Sequence, residues 1–180
     1  MAAPYIQLID HEHPLGPDHI PPDLVEPAIP FCAPPGDPKR LLRARAAHAA
    51  EDLFSRAQQS GLCLCGVSGY RPYARQAELY QQSTSGYVAP PGQSEHQSGL
   101  ALDVSCPELK FELEPSFAET EEGLFLKRYG PMYGFIIRYP KGKEKITGYA
   151  WEPWHIRYVT KTLALYLSLT DLTLEEYHAL

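Results

Sequence analysis

Two short motifs, separated by about fifty residues, constrain the fold of this chain more than any other feature. The first contains His96 and Asp103, and the second contains Glu152 and His155. Two histidines and one carboxylate are a ligand set that zinc uses when a fourth position is left for water. If the motifs act together, the fold must bring Asp103 and His155 to the same place.

The residues around these ligands are those that a hydrolytic zinc site needs. Glu152 stands beside the last ligand, where a general base can take a proton from an attacking water and pass it to a leaving amine. Arg71 ends an apolar segment, and its guanidinium can pair bidentately with a carboxylate or face a developing oxyanion. Each residue alone is more often structural, but the combination predicts a zinc peptidase that holds one ion.

Composition narrows the classes of partner. A chain of 180 residues fits one domain with a sizeable core. Its net charge is −6 and no Lys/Arg block interleaves with aromatic residues, so we expect no nucleic-acid partner. No apolar run approaches the roughly 18 residues that span a bilayer, and residues 1–10 lack the features of an export signal. We expect a monomer that binds a small molecule or peptide.

The proline pattern divides the chain into two parts. Residues 1–38 are dense in proline, which favours an extended arm packed on the body over regular structure. Residues 39–180 are predicted to form a single zinc peptidase domain. The four cysteines include a Cys63-Leu64-Cys65 run inside an apolar segment, a spacing that favours buried free thiols over a metal site.

Hydrophobic periodicity and stop signals place the motifs on predicted elements. We expect Asp37-Pro38 to cap a long helix that ends at Ser60-Gly61. A loop over residues 83–95 leads to the first ligand, and Pro140–Lys143 forms a hairpin turn before the strand that carries the second motif. The other predicted elements are strands at 62–67, 101–104 and 135–139 and helices at 73–82, 119–129, 161–169 and after the capping box Thr173-x-x-Glu176.

The paired motifs also carry a resemblance. Ser94-x-His96-x-x-Gly99-x-Ala101-x-Asp103, with Glu152-Pro153-Trp154-His155-x-Arg157-Tyr158-Val159, resembles the VanY-type D-alanyl-D-alanine carboxypeptidases of the M15 zinc metallopeptidase family. Supporting similarities lie in Ser68-Gly69-Tyr70-Arg71-Pro72 with Gln76, and in residues 133–143 followed by Ile146-Thr147-Gly148. The similarity extends from about residue 60 to the end of the chain.

The resemblance implies a fold and a set of roles. The fold would be α+β of the hedgehog/DD-peptidase type, with an antiparallel central sheet flanked by helices. One Zn²⁺ would be held by His96, Asp103 and His155. Glu152 and Arg71 would be catalytic, and Arg71 would also bind substrate together with Gln76, Ser94 and Trp154.

The resemblance further implies a peptidoglycan stem peptide, or its precursor, as the substrate. A water on the zinc, with Glu152 as general base, would release the C-terminal D-alanine, by a D,D- or an L,D-carboxypeptidase reaction. A cell-envelope location follows from that substrate class, although a cytoplasmic one stays open. Three alternatives also stay open: a D-Ala-D-Ala dipeptidase, a peptidoglycan endopeptidase, and a non-catalytic zinc-stabilised cell-wall binding module. The presence of Glu152 and Arg71 argues against the module, because metal binding needs neither.

Overall fold

The computed structural model describes residues 5–83 and 88–180. Apolar residues at helical spacing form the buried face of the helix Ala44–Gln59, and β-branched and aromatic residues favour the strand Phe135–Tyr139. The strands are Leu24–Val25 (β1), Leu42–Arg43 (β2), Cys65–Ser68 (β3), Ala101–Ser105 (β4), Phe135–Tyr139 (β5) and Glu152–Tyr158 (β6). The α-helices are Ala44–Gln59 (α1), Tyr73–Gln82 (α2), Glu121–Tyr129 (α3), Glu144–Thr147 (α4), Lys161–Thr170 (α5) and Leu174–His178 (α6).

The centre of the fold is a four-stranded antiparallel sheet in the order β3-β4-β6-β5. Strands β1 and β2 form a separate two-stranded antiparallel ribbon. Helices flank the central sheet, so the predicted α+β class with an antiparallel sheet is confirmed. Because β4 and β6 are neighbours, the two motifs lie side by side in the sheet.

The two faces of the sheet have different chemistry. Leu102 and Val104 of β4 and Ile156 of β6 pack in one apolar cluster with the buried face of α1. Side chains alternate between faces along a strand, so Asp103 and His155 point to the other side. The apolar face anchors the strands, and the opposite face carries the polar site.

The predicted start of the long helix is wrong. Asp37 does accept a hydrogen bond from the Lys39 amide, but it caps only a 3₁₀ turn over Pro38–Arg40. The chain then becomes extended, because the carbonyls of Lys39 and Leu41 accept the amides of Gly69 and Tyr70. Long-range pairing of this segment overrides the local capping signal, and α1 begins only at Ala44.

Other predicted elements have shifted bounds. The strand predicted at 62–67 begins at Cys65, and the helix predicted from Glu119 begins at Glu121, where Thr120 caps it. The predicted hairpin between β5 and β6 is antiparallel, but its connection contains the short helix α4. Residues 84–87 of the predicted loop lie outside the described residues. Helix α2 and strand β5 have the predicted bounds.

The N-terminal segment runs along the body with little regular structure beyond β1. Its backbone bonds to the body at several points, including Leu15 N–H to the Gly92 carbonyl (2.8 Å) and Cys32 N–H to the Gly66 carbonyl (2.9 Å). All four cysteines are free, but only Cys65 and Cys106 are buried, so the expectation of four buried thiols is wrong for the other two. Within residues 5–83 and 88–180, no helix is long and apolar enough to cross a membrane.

Candidate active site

The site is built on the register between β4 and β6, which pairs Asp103 directly with His155. The two side chains therefore emerge from the same face, and His155 Nδ1 lies 2.8 Å from Asp103 Oδ1. Both residues are buried, with 5% and 4% of their surfaces exposed. Neighbouring strands of a rigid sheet thus fix the relative position of two of the three predicted ligands.

His96 reaches the same point from a 3₁₀ turn over Glu95–Ser98. Its Nδ1 lies 2.7 Å from the Gly69 carbonyl, which can only accept, so Nδ1 carries the proton. The other nitrogen, Nε2, then points to Asp103 Oδ2 at 3.1 Å. Gly99 ends the turn in the left-handed region (φ 68°) and leads the chain into β4. A single turn therefore joins the first two ligands.

The three residues fit a zinc ion. One ligand atom from each of His96, Asp103 and His155 lies within 4.8 Å of the other two, the only such group found in the described part of the chain. Tetrahedral zinc with ligands at about 2.1 Å sets its ligand atoms roughly 3.4 Å apart, which this cluster can satisfy with small shifts. Two neutral imidazoles and one carboxylate also leave a coordination position for a water or a substrate oxygen.

Burial and mutual contact set the charges of these ligands. Burial opposes the charged form of His155, but hydrogen bonding to Asp103 and the nearby Glu95 carboxylate outweigh it and raise the pKa of His155. Burial lowers the pKa of His96, whereas its neighbour Asp103 opposes that change. The imidazoles hold the pKa of Asp103 well below its usual range, against the effect of burial. Without metal, the cluster is therefore an imidazolium paired with an aspartate.

Glu152 lies at the start of β6, on the open side of the cluster. Its carboxylate is 3.8 Å from His155 Nδ1, and 16% of its side chain remains exposed. Burial raises the pKa of Glu152 to about 7, and the attraction of His155 only partly offsets this rise. A carboxyl group with that pKa can both accept and return a proton near neutrality, as a general base and acid must.

Arg71 follows the end of β3 and is held by side-chain contacts on both guanidinium nitrogens. Nη1 donates to Gln76 Oε1 (2.9 Å), and Nη2 donates to Ser68 Oγ (3.1 Å). Gln76 in turn donates to the Ala89 carbonyl (2.7 Å). Within the described residues, Arg71 Nε is buried without a partner. This cation is therefore preorganised and retains donor capacity for an anionic group.

All eight predicted site residues line one cleft of about 260 Å³. Ser94 is buried in its wall, and Trp154 is half-buried and also packs against the apolar core. The residues that the structure brings together are Arg71, Gln76, Ser94, His96, Asp103, Glu152, Trp154 and His155. Their roles remain predictions, but the cleft places a cation and a titratable carboxyl beside the ligand cluster.

Sequence reasoning missed three residues of this cleft that carry polar side-chain groups. Tyr139 stacks on the His155 ring, with centroids 5.0 Å apart, and Tyr149 stacks on Tyr139 at 4.6 Å. Glu95 is fully buried and lies 3.7 Å from His155 Nε2. The signal for Tyr139 is the β5–β6 register, which pairs it with Glu152. Register cannot be read from either strand alone, and Glu95 has no spacing signal of its own.

Comparison with known proteins shows the family of this chain. Solved structures that share the fold include peptidases of the VanY, LdcB and VanX type, a hedgehog-like class. A family model described as VanY, D-alanyl-D-alanine carboxypeptidase, matches residues 39–161. The chain belongs to the VanY family. All the ligand candidates lie inside the matched region.

Individual relatives extend the similarity over nearly the whole chain. YodJ of Bacillus subtilis (strain 168), named as a putative carboxypeptidase, is 42% identical to this chain. The aligned region covers 96% of this chain but only 66% of the length of YodJ. The LdcB LD-carboxypeptidase, whose structure superposes with a TM-score of 0.92, is 43% identical in sequence. The superposition covers 96% of this chain and 84% of the LdcB chain. A vancomycin-resistance D,D-pentapeptidase, VanY, in complex with Zn(II), is 28% identical, with 97% and 99% coverage and a TM-score of 0.75.

Proposed function

We propose that this protein is a zinc-dependent carboxypeptidase that removes the C-terminal D-alanine from peptidoglycan stem peptides. The observation that carries the proposal is the shared cleft, in which Arg71 and Glu152 face the His96, Asp103 and His155 cluster. A purely structural metal site needs neither a held cation nor a carboxyl group that titrates near neutrality. The VanY relative solved with Zn(II) supports zinc as the ion.

Three groups of the cleft have separate roles in the proposed reaction: the metal cluster, Glu152 and Arg71. A zinc ion bound by the cluster would supply Lewis acidity, polarising the scissile carbonyl and activating water. Glu152 takes the proton of the attacking water and returns it to the departing amine, since its pKa of about 7 suits both transfers. Arg71, fixed by Gln76 and Ser68, binds the free carboxylate of the terminal residue. Cleavage therefore falls one residue from the C-terminus.

The preferred linkage is proposed from the structural comparisons. The LdcB structure, whose printed name is LD-carboxypeptidase, superposes with a TM-score of 0.92, whereas the D,D-pentapeptidase VanY gives 0.75. We therefore favour the tetrapeptide stem, in which D-alanine follows an L-centre, over the pentapeptide. Such a substrate would place the protein at the cell envelope.

The experiment is mass spectrometry of defined tetrapeptide and pentapeptide muropeptides incubated with the zinc-loaded protein. A Glu152→Ala variant, checked for bound zinc, serves as the matched control. Loss of one alanine mass, faster from the tetrapeptide and absent with the variant, is the expected result. Loss of a dipeptide or cleavage deeper in the stem would make the protein a dipeptidase or an endopeptidase. Full zinc occupancy with no cleavage would indicate a binding module.

A further inference from the structure

A buried carboxylate, Glu95, lies beside the ligand cluster. Glu95 is 1% exposed, and its Oε1 accepts two charged hydrogen bonds, from Arg138 Nε (2.7 Å) and from Arg157 Nη1 (2.6 Å). Its other oxygen, Oε2, has no hydrogen-bond partner among the described residues. An anion this deep in the protein is costly, and leaving half of it unpartnered adds to the cost.

The atom that faces Glu95 Oε2 is also unpartnered. His155 Nε2 is buried without a hydrogen bond to any described residue and lies 3.7 Å from that oxygen. The other nitrogen of the ring, Nδ1, is the one that faces Asp103 and Glu152. Nε2 is therefore turned away from the candidate ligand position and toward a carboxylate that can only accept a proton.

We infer that Glu95 is a positioning residue that accepts the Nε2 proton of His155 and so keeps the lone pair of Nδ1 for the metal. Histidine ligands commonly donate their second ring N–H to a carboxylate or carbonyl, which fixes tautomer and orientation. His96 shows the same device with a different acceptor, because its Nδ1 donates to the Gly69 carbonyl. Each ligand ring thus has its second nitrogen held. The inference rests on the proposed zinc site.

The two arginines hold Glu95 in place and connect it to both ends of the chain. Arg138 pairs bidentately with Glu175 of α6 (2.9 and 2.6 Å). Arg157 donates to the carbonyls of Tyr5 and Gln7 in the N-terminal segment. Both guanidinium groups are fully buried, and Glu95 is the only carboxylate paired with Arg157 among the described residues. Rotation of Glu95 would therefore leave the buried charge of Arg157 without an anionic partner and remove one of the two carboxylates on Arg138. A purely structural network would stabilise the fold and leave zinc affinity unchanged, so folding and zinc affinity are measured separately.

Glu95→Gln and Glu175→Gln form a matched pair of variants. Glu95→Gln keeps the side-chain volume but has only one acceptor oxygen. If that oxygen accepts from the arginines, the NH₂ group faces His155 Nε2, and if it accepts from His155, the NH₂ group faces the arginines. Glu175→Gln weakens the same network at its far end and leaves His155 untouched. The zinc dissociation constant is measured by chelator competition, and folding by thermal denaturation of the metal-free proteins.

We expect Glu95→Gln to weaken zinc binding about 10- to 100-fold, the range found for such outer partners, and Glu175→Gln to lower the melting temperature while changing zinc affinity less than about 3-fold. An equal loss of affinity in both variants would overturn the role of Glu95. Absence of zinc binding by the unaltered protein would instead overturn the proposed function, and this role with it.

Long-range ¹H–¹⁵N spectra of the zinc-loaded, unaltered protein give a readout that depends on no variant. We expect the His155 proton on Nε2, and a proton on Nδ1 with Nε2 bound to the metal would refute the inference even if Glu95→Gln fails to fold.

Discussion

Asp103 and His155 are directly opposed residues of adjacent antiparallel strands, and their side chains meet at 2.8 Å on one face of the sheet. When no metal is bound, the carboxylates of Asp103 and Glu95 raise the pKa of His155, so that its ring is protonated and pairs with Asp103. A proton therefore holds together two ligands that zinc would otherwise join. Metal and proton therefore compete for the same nitrogen, His155 Nδ1.

Zinc binding should release about one proton from His155. Its pKa is raised, so the ring is charged at neutral pH in the metal-free protein, whereas the pKa values of His96 and Asp103 are both lowered. Affinity should fall about tenfold for each pH unit below neutrality, as expected when one proton is displaced. Isothermal titration calorimetry at pH 6, in two buffers of different ionisation enthalpy, gives the proton count.

Glu152 also titrates near neutrality and would confuse that count, so the titration is repeated with Glu152→Gln. Release of one proton should persist in the variant. Zinc binding with no proton release in either protein would contradict the assigned charge of His155.

Replacing Glu152 by glutamine should stabilise the metal-free protein at alkaline pH. Burial raises the pKa of this carboxyl group to about 7, so the folded state keeps a proton that the unfolded chain loses near pH 4.5. The free energy of unfolding of the unaltered protein therefore falls between about pH 4.5 and pH 7, by about 1.4 kcal/mol for each unit of pKa difference. Glutamine carries no charge and avoids this loss.

Urea denaturation with a chelator present provides the measurement. The variant should gain about 3 kcal/mol at pH 8 and show little difference at pH 4.5. A gain that is the same at both pH values would show that packing, rather than charge, causes it.

The sequence predicts the site residues that lie in local motifs, but not those whose roles depend on contacts between distant segments. The candidate ligands, Glu152 and Arg71 stand in contiguous motifs whose residue types make them candidates, and β5 is rich in β-branched and aromatic residues. The predicted start of α1 was wrong because the Leu41 carbonyl accepts the Tyr70 amide, a hydrogen bond between segments that are distant in sequence. Glu95 and Tyr139 were missed for the same reason. Their roles depend on strand register and on which buried charges meet, and neither is a local property.

Arg71→Lys should lower kcat/KM for the proposed substrate about 10- to 100-fold. Lysine keeps the charge, but it cannot donate to Gln76, Ser68 and a carboxylate in one fixed plane. Arg75→Lys is the control, because Arg75 lies on the same segment with 48% of its side chain exposed and pairs only with Glu78 among the described residues. We expect a change of less than about twofold there. Equal activity of the two variants would exclude carboxylate recognition by Arg71.

Gly99→Ala should impair both folding and zinc binding, because two costs combine at this position. Its φ of 68° disfavours any residue with a Cβ, and that Cβ would lie 2.7 Å from Leu24 Cδ2 and 3.1 Å from Arg43 Cγ. Left-handed strain alone costs about 1 kcal/mol, and overpacking adds about 1–3 kcal/mol. The end of the Leu24 side chain can give way, whereas the Arg43 amide nitrogen, 3.3 Å from the added Cβ, is backbone. We therefore expect part of the clash to shift the turn that carries His96, since the Gly99 amide donates to the His96 carbonyl (3.2 Å).

Gly36→Ala separates the two costs. Gly36 has a similar φ of 85°, but its added Cβ would meet nothing within 4 Å. Strain without a clash should cost about 1 kcal/mol and leave zinc affinity unchanged. Thermal denaturation and chelator competition on both variants compare the positions. Equal destabilisation with equal zinc affinity would mean that the turn absorbs the new methyl group, and that Gly99 is required for its backbone conformation rather than for the close approach of Leu24.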